Sequence, residues 1–389
     1  MEINEYIINI REYFHKHPEL SFKEYSTADK IEEELTKMGL KPQRITETGI
    51  ICDITGNGNK TVAIRSDIDA LPVMEENDVK YKSENSGIMH ACGHDAHMAM
   101  LLGAAKLLLE DKNNLNGNIR LIFQPAEETP PGGAIEMIKN GALKNVDYII
   151  GQHIWGTLPA GKVAIYYKEM MANADEFTIK IHGKGGHGSA PQDSIDVIYI
   201  ASHLIEMVNT IVSREIDPQE AAVITIGRLD AGYRFNIIAA HAELMGTVRT
   251  LNKDVQNKII KRIEDILKGL ELTYNIKYEY EYKKGYPVLI NNTEISKIIE
   301  KAAETTFGKD NITHPKPNMG GEDFAFYLEK IPGAYYVLGG ANDKINSPNH
   351  SPTFDIDESV LYRGALLLKN SAESILNIKP GSGSDSGND

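Results

Sequence analysis

Apolar residues along this chain follow two rhythms. Over residues 3–17 and 25–38 they fall at helical spacing (Ile7, Ile10, Phe14; Ala28, Ile31, Leu35, Met38), with Pro18 between the runs and Gly39 closing the second. Short β-branched runs follow, Gly49 to Thr55 and Thr61 to Ser66, joined by the turn-forming Gly56-Asn57-Gly58-Asn59. A helix is expected from near Asp95 through Leu109. Asn118 to Gln124 reads as a buried strand stopped by Pro125, residues 132–140 as a helix, and Val146 to Gln152 as a strand with His153 at its end. Strands alternating with helices predict an α/β layer structure with a central mixed sheet.

After about residue 172 the pattern changes. Glu176 to His182 alternates as a strand, Ser194 to Val212 is helical, Ala221 to Leu229 and Ala242 to Arg249 are strands, Val255 to Leu270 is a helix, and Leu272 to Tyr282 is a Tyr-rich strand. The order β-α-β-β-α-β is that of a ferredoxin-like split βαβ unit. From Tyr286 on, helices at 292–307, 321–330 and 357–376 and a strand from Ala334 to Leu338 resume the first style. The expectation is a two-domain α/β protein. Its catalytic domain is split over 1–172 and 286–378, a compact domain is inserted at 173–285, and a Gly/Ser/Asp tail at 379–389 is disordered.

Composition narrows the function classes. A net charge of −14, with no run of Lys or Arg, argues against a nucleic-acid partner. The most apolar stretch, Met98 to Leu109, is too short to span a bilayer and is interrupted by Lys106. Only Cys52 and Cys92 could form a disulfide, and the N-terminus lacks the apolar core of a signal peptide, so a cytoplasmic enzyme without membrane contact is expected.

The densest chemistry lies in His90-Ala91-Cys92-Gly93-His94-Asp95-Ala96-His97, where a thiol and imidazoles together suit a borderline-soft divalent metal. Gln124-Pro125-Ala126-Glu127-Glu128 follows a buried strand directly, and adjacent side chains there point apart, so one carboxylate can bind metal while the other serves as a base. Read alone, that pair better suits a solvated helix N-terminus, where carboxylates favour the dipole. His153 beside the sole Trp, and His350 in Pro348-Asn349-His350-Ser351-Pro352, read alone as satisfied polar residues and together as further ligands. Asp67 and Asp69 in Arg65-Ser66-Asp67-Ile68-Asp69-Ala70-Leu71-Pro72 suit the outer role of orienting ligating histidines. Asp95, His90 and His97 are expected to orient neighbours or cap the following helix. Gly183-Lys184-Gly185-Gly186-His187-Gly188 reads as a flexible loop presenting His187.

With these residues assembled, the chain resembles the amidohydrolase branch of metallopeptidase family 20, which includes hippurate hydrolases, N-acyl-amino-acid amidohydrolases, N-acetyl-diaminopimelate deacetylases and plant auxin-conjugate hydrolases. The matching stretches are RSDIDALP, MHACGHDAHM, FQPAEE, GQHIW, GKGGHGSAP, GTVRT and GGEDFA, in the family's order. The resemblance implies a zinc-peptidase-like catalytic domain and two divalent ions per subunit, held by Cys92, His94, Glu128, His153 and His350. It suggests Mn as the metal, although the thiolate alone would equally fit Zn, and Co or Ni are alternatives. Glu127 is implied as general base and acid, and His187 as the oxyanion donor, reaching a partner's active site. Asn236 and Arg249 are implied to bind the substrate carboxylate, and the inserted domain to build a homodimer or a tetramer. In the wider family a His-x-Asp-x-x-Pro motif supplies a metal-binding histidine, and here Asp67 takes its place. The implied reaction is hydrolysis of N-acyl amino acids, with carboxypeptidase, dipeptidase and N-acetyl-diaminopimelate deacetylase activities as alternatives.

Overall fold

In a computed structural model describing residues 2–378, the first two apolar runs form α1 (Ile3–Lys16) and α2 (Tyr25–Lys37). Their helically spaced residues Ile7, Ile10, Phe14, Ala28, Ile31 and Leu35 are buried. The expected disordered tail from Lys379 lies outside the described residues. Next come β1 (Gln43–Arg44), β2 (Ile50–Thr55), β3 (Thr61–Asp67), α3 (His94–Glu110), β4 (Asn118–Gln124), α4 (Ala134–Lys139), β5 (Tyr148–Pro159), β6 (Val163–Ala164) and β7 (Glu169–Met171). The middle of the chain supplies β8 (Ala174–His182), β9 (Gly186–His187), α5 (Val197–Thr210), β10 (Ala222–Ala231), β11 (Ile237–Ile238), β12 (His241–Thr250), α6 (Lys253–Tyr274), β13 (Lys277–Tyr286) and β14 (Leu289–Ile290). It ends with α7 (Thr293–Phe307), β15 (Ile312–Thr313), α8 (Ala325–Leu328), β16 (Gly333–Ala341) and α9 (Leu361–Leu376).

The chain divides into two compact units. One holds the residues up to Met170, Ile290–Lys316 and the residues from Asp323 on; the other holds Met171–Leu289 and Pro317–Glu322.

The first unit is built on an eight-stranded mixed sheet in the order β1-β2-β4-β3-β5-β16-β6-β15. Its centre, β4-β3-β5-β16, is parallel, and β2 joins β4 antiparallel. Every residue of β3 and β16 is buried, as expected for parallel strands covered on both faces. Helix α3 is apolar all round and buried almost throughout, packed against α1, α9 and the sheet. Registers place Asp67 opposite Gln124 and Arg65 opposite Gly151, so the carboxyl ends of β3 and β4 lie together. Sheets of this kind place their sites at those ends.

The second unit is a four-stranded antiparallel sheet, β10-β12-β8-β13, with α5 and α6. Phe177, Ile179 and Ile181 of β8 and Leu244 and Val248 of β12 pack with Ile200, Leu204, Ile259 and Ile263 of the helices in a core of its own. Chain and strand order together are those of the expected split βαβ unit.

Several boundaries differ from the sequence expectation. Helix α6 continues through Leu272 to Tyr274 and ends at Asn275, whose φ of 55° is left-handed, so the Tyr-rich strand begins only at Lys277. The helix expected over 321–330 shrinks to α8, four residues between the Gly320-Gly321 pair and Pro332. Strand β5 runs on past Gly151 to Pro159, because β16 pairs with it there, Val337 opposite His153. His153 therefore sits in mid-strand rather than at a strand end.

Candidate metal centre

Cys92 and His94 enter the site where the chain turns into α3. Gly93 between them has a φ of 85°, and a Cβ there would lie 2.4 Å from Ile154 Cγ2, so conformation and space both call for glycine. Three other segments converge on this turn: the loop after β4 with Glu127 and Glu128, mid-β5 with His153, and the loop carrying His350, whose amide bonds to the Ala91 carbonyl. Ligand atoms of Cys92, His94 and His153 lie within 4.8 Å of one another, as do those of Cys92, Glu128 and His350, and those of His94, Glu127 and Glu128. Cys92 is common to the first two triads.

The hydrogen bonds of the histidines leave the right atoms free. His94 Nδ1 faces the Asp69 carbonyl at 2.9 Å and Asp69 Oδ1 at 3.2 Å; both are acceptors, so this nitrogen carries the proton. His94 Nε2 is buried with no hydrogen-bond partner, 3.9 Å from Glu128 Oε1. His153 Nδ1 donates to the Ile154 carbonyl at 2.9 Å, which leaves Nε2 3.4 Å from Cys92 Sγ. His350 Nε2 stands 3.3 Å from Glu128 Oε1. A buried His94 Nε2 without a partner, and His94 and His153 each tethered through Nδ1, make an arrangement that suits a bound cation.

Electrostatics point the same way. Burial pushes the Cys92 thiol well up, and the nearby Glu128 and Glu127 push it further. His94 is lowered by burial but carried up to about 10, chiefly by Asp67 and Asp69. Buried carboxylates and a thiol this close favour a positive charge among them.

His97 and Asp95 take different roles. His97 Nδ1 lies 2.6 Å from Asp67 Oδ1, and its Nε2 accepts the Ile154 amide at 2.8 Å, so neither nitrogen is free for a metal. Asp95 does not cap α3. Its Oδ2 accepts from Arg11 Nε at 2.8 Å and meets His15 Nδ1 at 2.7 Å, while Arg11 also pairs with Asp355. His90 is buried with both ring nitrogens unpartnered.

Residues that sequence reasoning did not single out hold this frame. The fully buried Arg65 donates to Asp67 Oδ2 at 2.6 Å, Gln124 Oε1 at 2.9 Å and Asp323 Oδ1 at 2.8 Å. Its place two residues before Asp67 on a strand was the available signal. Asp69 also accepts the Glu128 amide, at 3.0 Å.

In the second unit, His187 is not on a free loop: it pairs with Ile237 in the short β9–β11 ladder, because Ile238 folds back against Gly186. Its Nδ1 accepts the Ser189 amide at 3.1 Å, which leaves Nε2 as the N–H donor of the exposed ring. The carbonyl of exposed Asn236 accepts the Gly188 amide, and Arg249 Nη1 bonds to the Asp175 carbonyl and Thr247 Oγ1.

Comparison with known proteins gives these features a lineage. The sequence profile of peptidase family M20/M25/M40 matches residues 63–374, a span that holds the five converging candidate ligands and Glu127. The chain belongs to this family. It is 42% identical over 385 residues to thermostable carboxypeptidase 2 of Saccharolobus solfataricus, covering 97% of this chain and 96% of that one. It is also 42% identical over 295 residues to an N-acyl-L-amino acid amidohydrolase of Geobacillus stearothermophilus, covering 75% and 80%. Among solved structures, a Bacillus subtilis protein described as a dinuclear metal binding peptidase of the M20 family superposes with a TM-score of 0.86 at 33% identity, covering 96% of this chain and 98% of that one. As a member of this family the protein is a metal-dependent amidohydrolase or peptidase. Among the described residues no helix is long and apolar enough to cross a membrane.

Proposed function

We propose that this protein hydrolyses the amide bond of N-acyl amino acids, with acetyl or aroyl acyl groups, at a site for two divalent ions. The observation that carries the reading is the pair of triads sharing Cys92, with Glu127 beside Glu128. Cys92, His94 and His153 would hold one ion, and Cys92, Glu128 and His350 the other. We favour Mn, with Zn, Co and Ni as alternatives for a mixed sulfur, nitrogen and oxygen site.

When bound, the ions supply Lewis acidity to the acyl carbonyl and to the attacking water. Glu127 takes the proton of that water and returns it to the departing amine. His187 donates its Nε2–H to the oxyanion of a partner subunit's substrate, and Asn236 and Arg249 bind the substrate carboxylate. Asp67 and Asp69 orient the ligands. In this reading residues 1–172 and 286–378 form the catalytic domain and 173–285 the lid through which the subunits dimerise. Cys52 and Cys92 are both buried free thiols, which suits the reducing cytoplasm we propose as its compartment.

The experiment is to chelate the enzyme, reload it with Mn, Zn, Co or Ni, and assay N-acetyl- and N-benzoyl-amino acids against dipeptides. Glu127→Gln is expected to keep both ions and lose hydrolysis. Faster turnover of dipeptides would favour the second reading, a carboxypeptidase or dipeptidase, which the 42% identity to a thermostable carboxypeptidase supports. N-acetyl-diaminopimelate tests the deacetylase alternative. No hydrolysis of any of these substrates by the reloaded wild type would overturn the proposal.

A further inference from the structure

The loop that bears Glu127 is held by a carboxylate from outside every segment named so far. Glu24, at the start of α2, is fully buried. Its Oε1 accepts the Ala126 amide at 2.9 Å and the Phe22 amide at 2.9 Å, and its Oε2 accepts the Thr48 hydroxyl at 2.9 Å. Ala126 is buried and has a φ of 55°, a left-handed conformation that a residue with a Cβ adopts only when its surroundings hold it there. On the other side of Glu127, the Glu128 amide is held by Asp69 Oδ2. The Ala126 carbonyl accepts the Gly133 amide at 3.0 Å, and a Cβ on Gly133 would lie 1.9 Å from the Pro125 carbonyl oxygen, so the loop is tightly packed as well.

We propose that Glu24 is a positioning residue for hydrolysis: by holding the Ala126 amide it keeps that residue left-handed and fixes the direction in which Glu127 leaves the backbone. The inference rests on the reading of Glu127 as the base. Glu24 touches neither substrate nor the ligand set. It acts because a change of φ at residue 126 would swing the next side chain away from the attacking water, and general-base transfer needs heavy atoms within about 3 Å. Two of the three donors that Glu24 meets, the Ala126 amide and the Thr48 hydroxyl, belong to buried residues, and the third, the Phe22 amide, belongs to an exposed one.

The test compares Glu24→Ala, Glu24→Gln and Thr48→Val for kcat, KM, metal content and amide exchange in residues 125–129. Glu24→Ala is expected to lower kcat ten- to a hundredfold with KM and metal content unchanged, and to speed exchange at 126 and 128. Glutamine keeps an oxygen for both amides and can donate to Thr48, so Glu24→Gln should recover most of that loss. A Glu24→Ala enzyme within twofold of wild-type kcat, one that loses its metal along with its activity, or a Glu24→Gln enzyme as slow as the alanine variant would each overturn the proposal. If Glu24→Ala does not fold, Thr48→Val decides: a severalfold lower kcat with faster exchange supports the proposal, and no change in either overturns it. Glu127→Gln separates the two readings, since its full activity would remove the base, whereas an inactive Glu127→Gln beside a fully active Glu24→Ala removes only the role of Glu24.

Discussion

His97 joins two strands of the site through one ring: Nδ1 lies 2.6 Å from Asp67 Oδ1 at the end of β3, and Nε2 accepts the Ile154 amide beside His153 in β5. The ring therefore aligns the backbone that presents His153 to Cys92. His97→Ala removes both bonds and leaves the Asp67 carboxylate and a buried amide short of a partner. Outer partners of this kind typically carry about 10–100-fold in metal affinity. The expected result is weaker metal binding of that order by calorimetric titration of the apoprotein, with the fold retained by circular dichroism.

Chelation should destabilise the protein, because a site in which His94 Nε2 is buried without a partner is completed by its ions. Free ion at about 1,000 times its Kd adds roughly 4 kcal/mol to the folded state. Calorimetric melting with and without chelator measures the difference as a fall in Tm. Cys92 belongs to both candidate triads, so Cys92→Ser should shrink that fall sharply and reduce the bound metal in elemental analysis. An undiminished fall would remove Cys92 from the site.

Arg11 is fully buried and bridges Asp95 and Asp355, with the Tyr81 ring 4.6 Å from its guanidinium carbon. Arg11→Met keeps much of the volume but takes the cation from two buried carboxylates, leaving Asp95 to His15 and Asp355 to the Tyr81 hydroxyl. Breaking a buried pair from one side costs about 3–5 kcal/mol. Urea unfolding is expected to show a loss of that size, and Asp95→Asn in the Arg11→Met background should restore part of it.

Glu24 gives a pH signature. Burial, and then Asp69, push its carboxyl up to about 7 from an ordinary 4.5. The folded state thus binds a proton that the unfolded chain releases, and stability falls as pH rises from about 4.5 to 7. Glutamine has no proton to lose. In chelated protein, Glu24→Gln should match wild type near pH 4.5 and exceed it by up to ~3 kcal/mol above pH 7. A gap that does not change with pH would contradict the shift.

The fold was readable because periodicity is local: Ile7, Ile10 and Phe14 announce α1 without reference to anything distant, and the alternation of Phe177, Ile179 and Ile181 announces β8. The residue types of the metal centre were equally visible, since thiols, imidazoles and paired carboxylates stand out wherever they occur. What the linear order hid were partnerships. Arg65 meets Asp323 across 258 positions, and Glu24 meets Ala126 across 102, with nothing in either neighbourhood naming the other. The length of β5 was hidden for the same reason, because β16 extends it from almost 200 residues downstream. Local pattern shows that His153 is near a strand; only the distant partner places it in mid-strand.

The chain order of the central sheet has a consequence for biosynthesis. β5 can gain its neighbour β16 only after Gly333–Ala341 has been made, and His350 comes later still. The elements of the second unit, from β8 to β13, are contiguous and complete long before that. On a ribosome the elements from β8 to β13 can therefore fold while the first unit waits with an open strand edge, the condition in which nascent sheets are prone to mispairing, and Pro317–Glu322 joins the second unit later. A full set of candidate ligands exists only once the last quarter of the chain has arrived, which makes metal capture a late event in the protein's maturation.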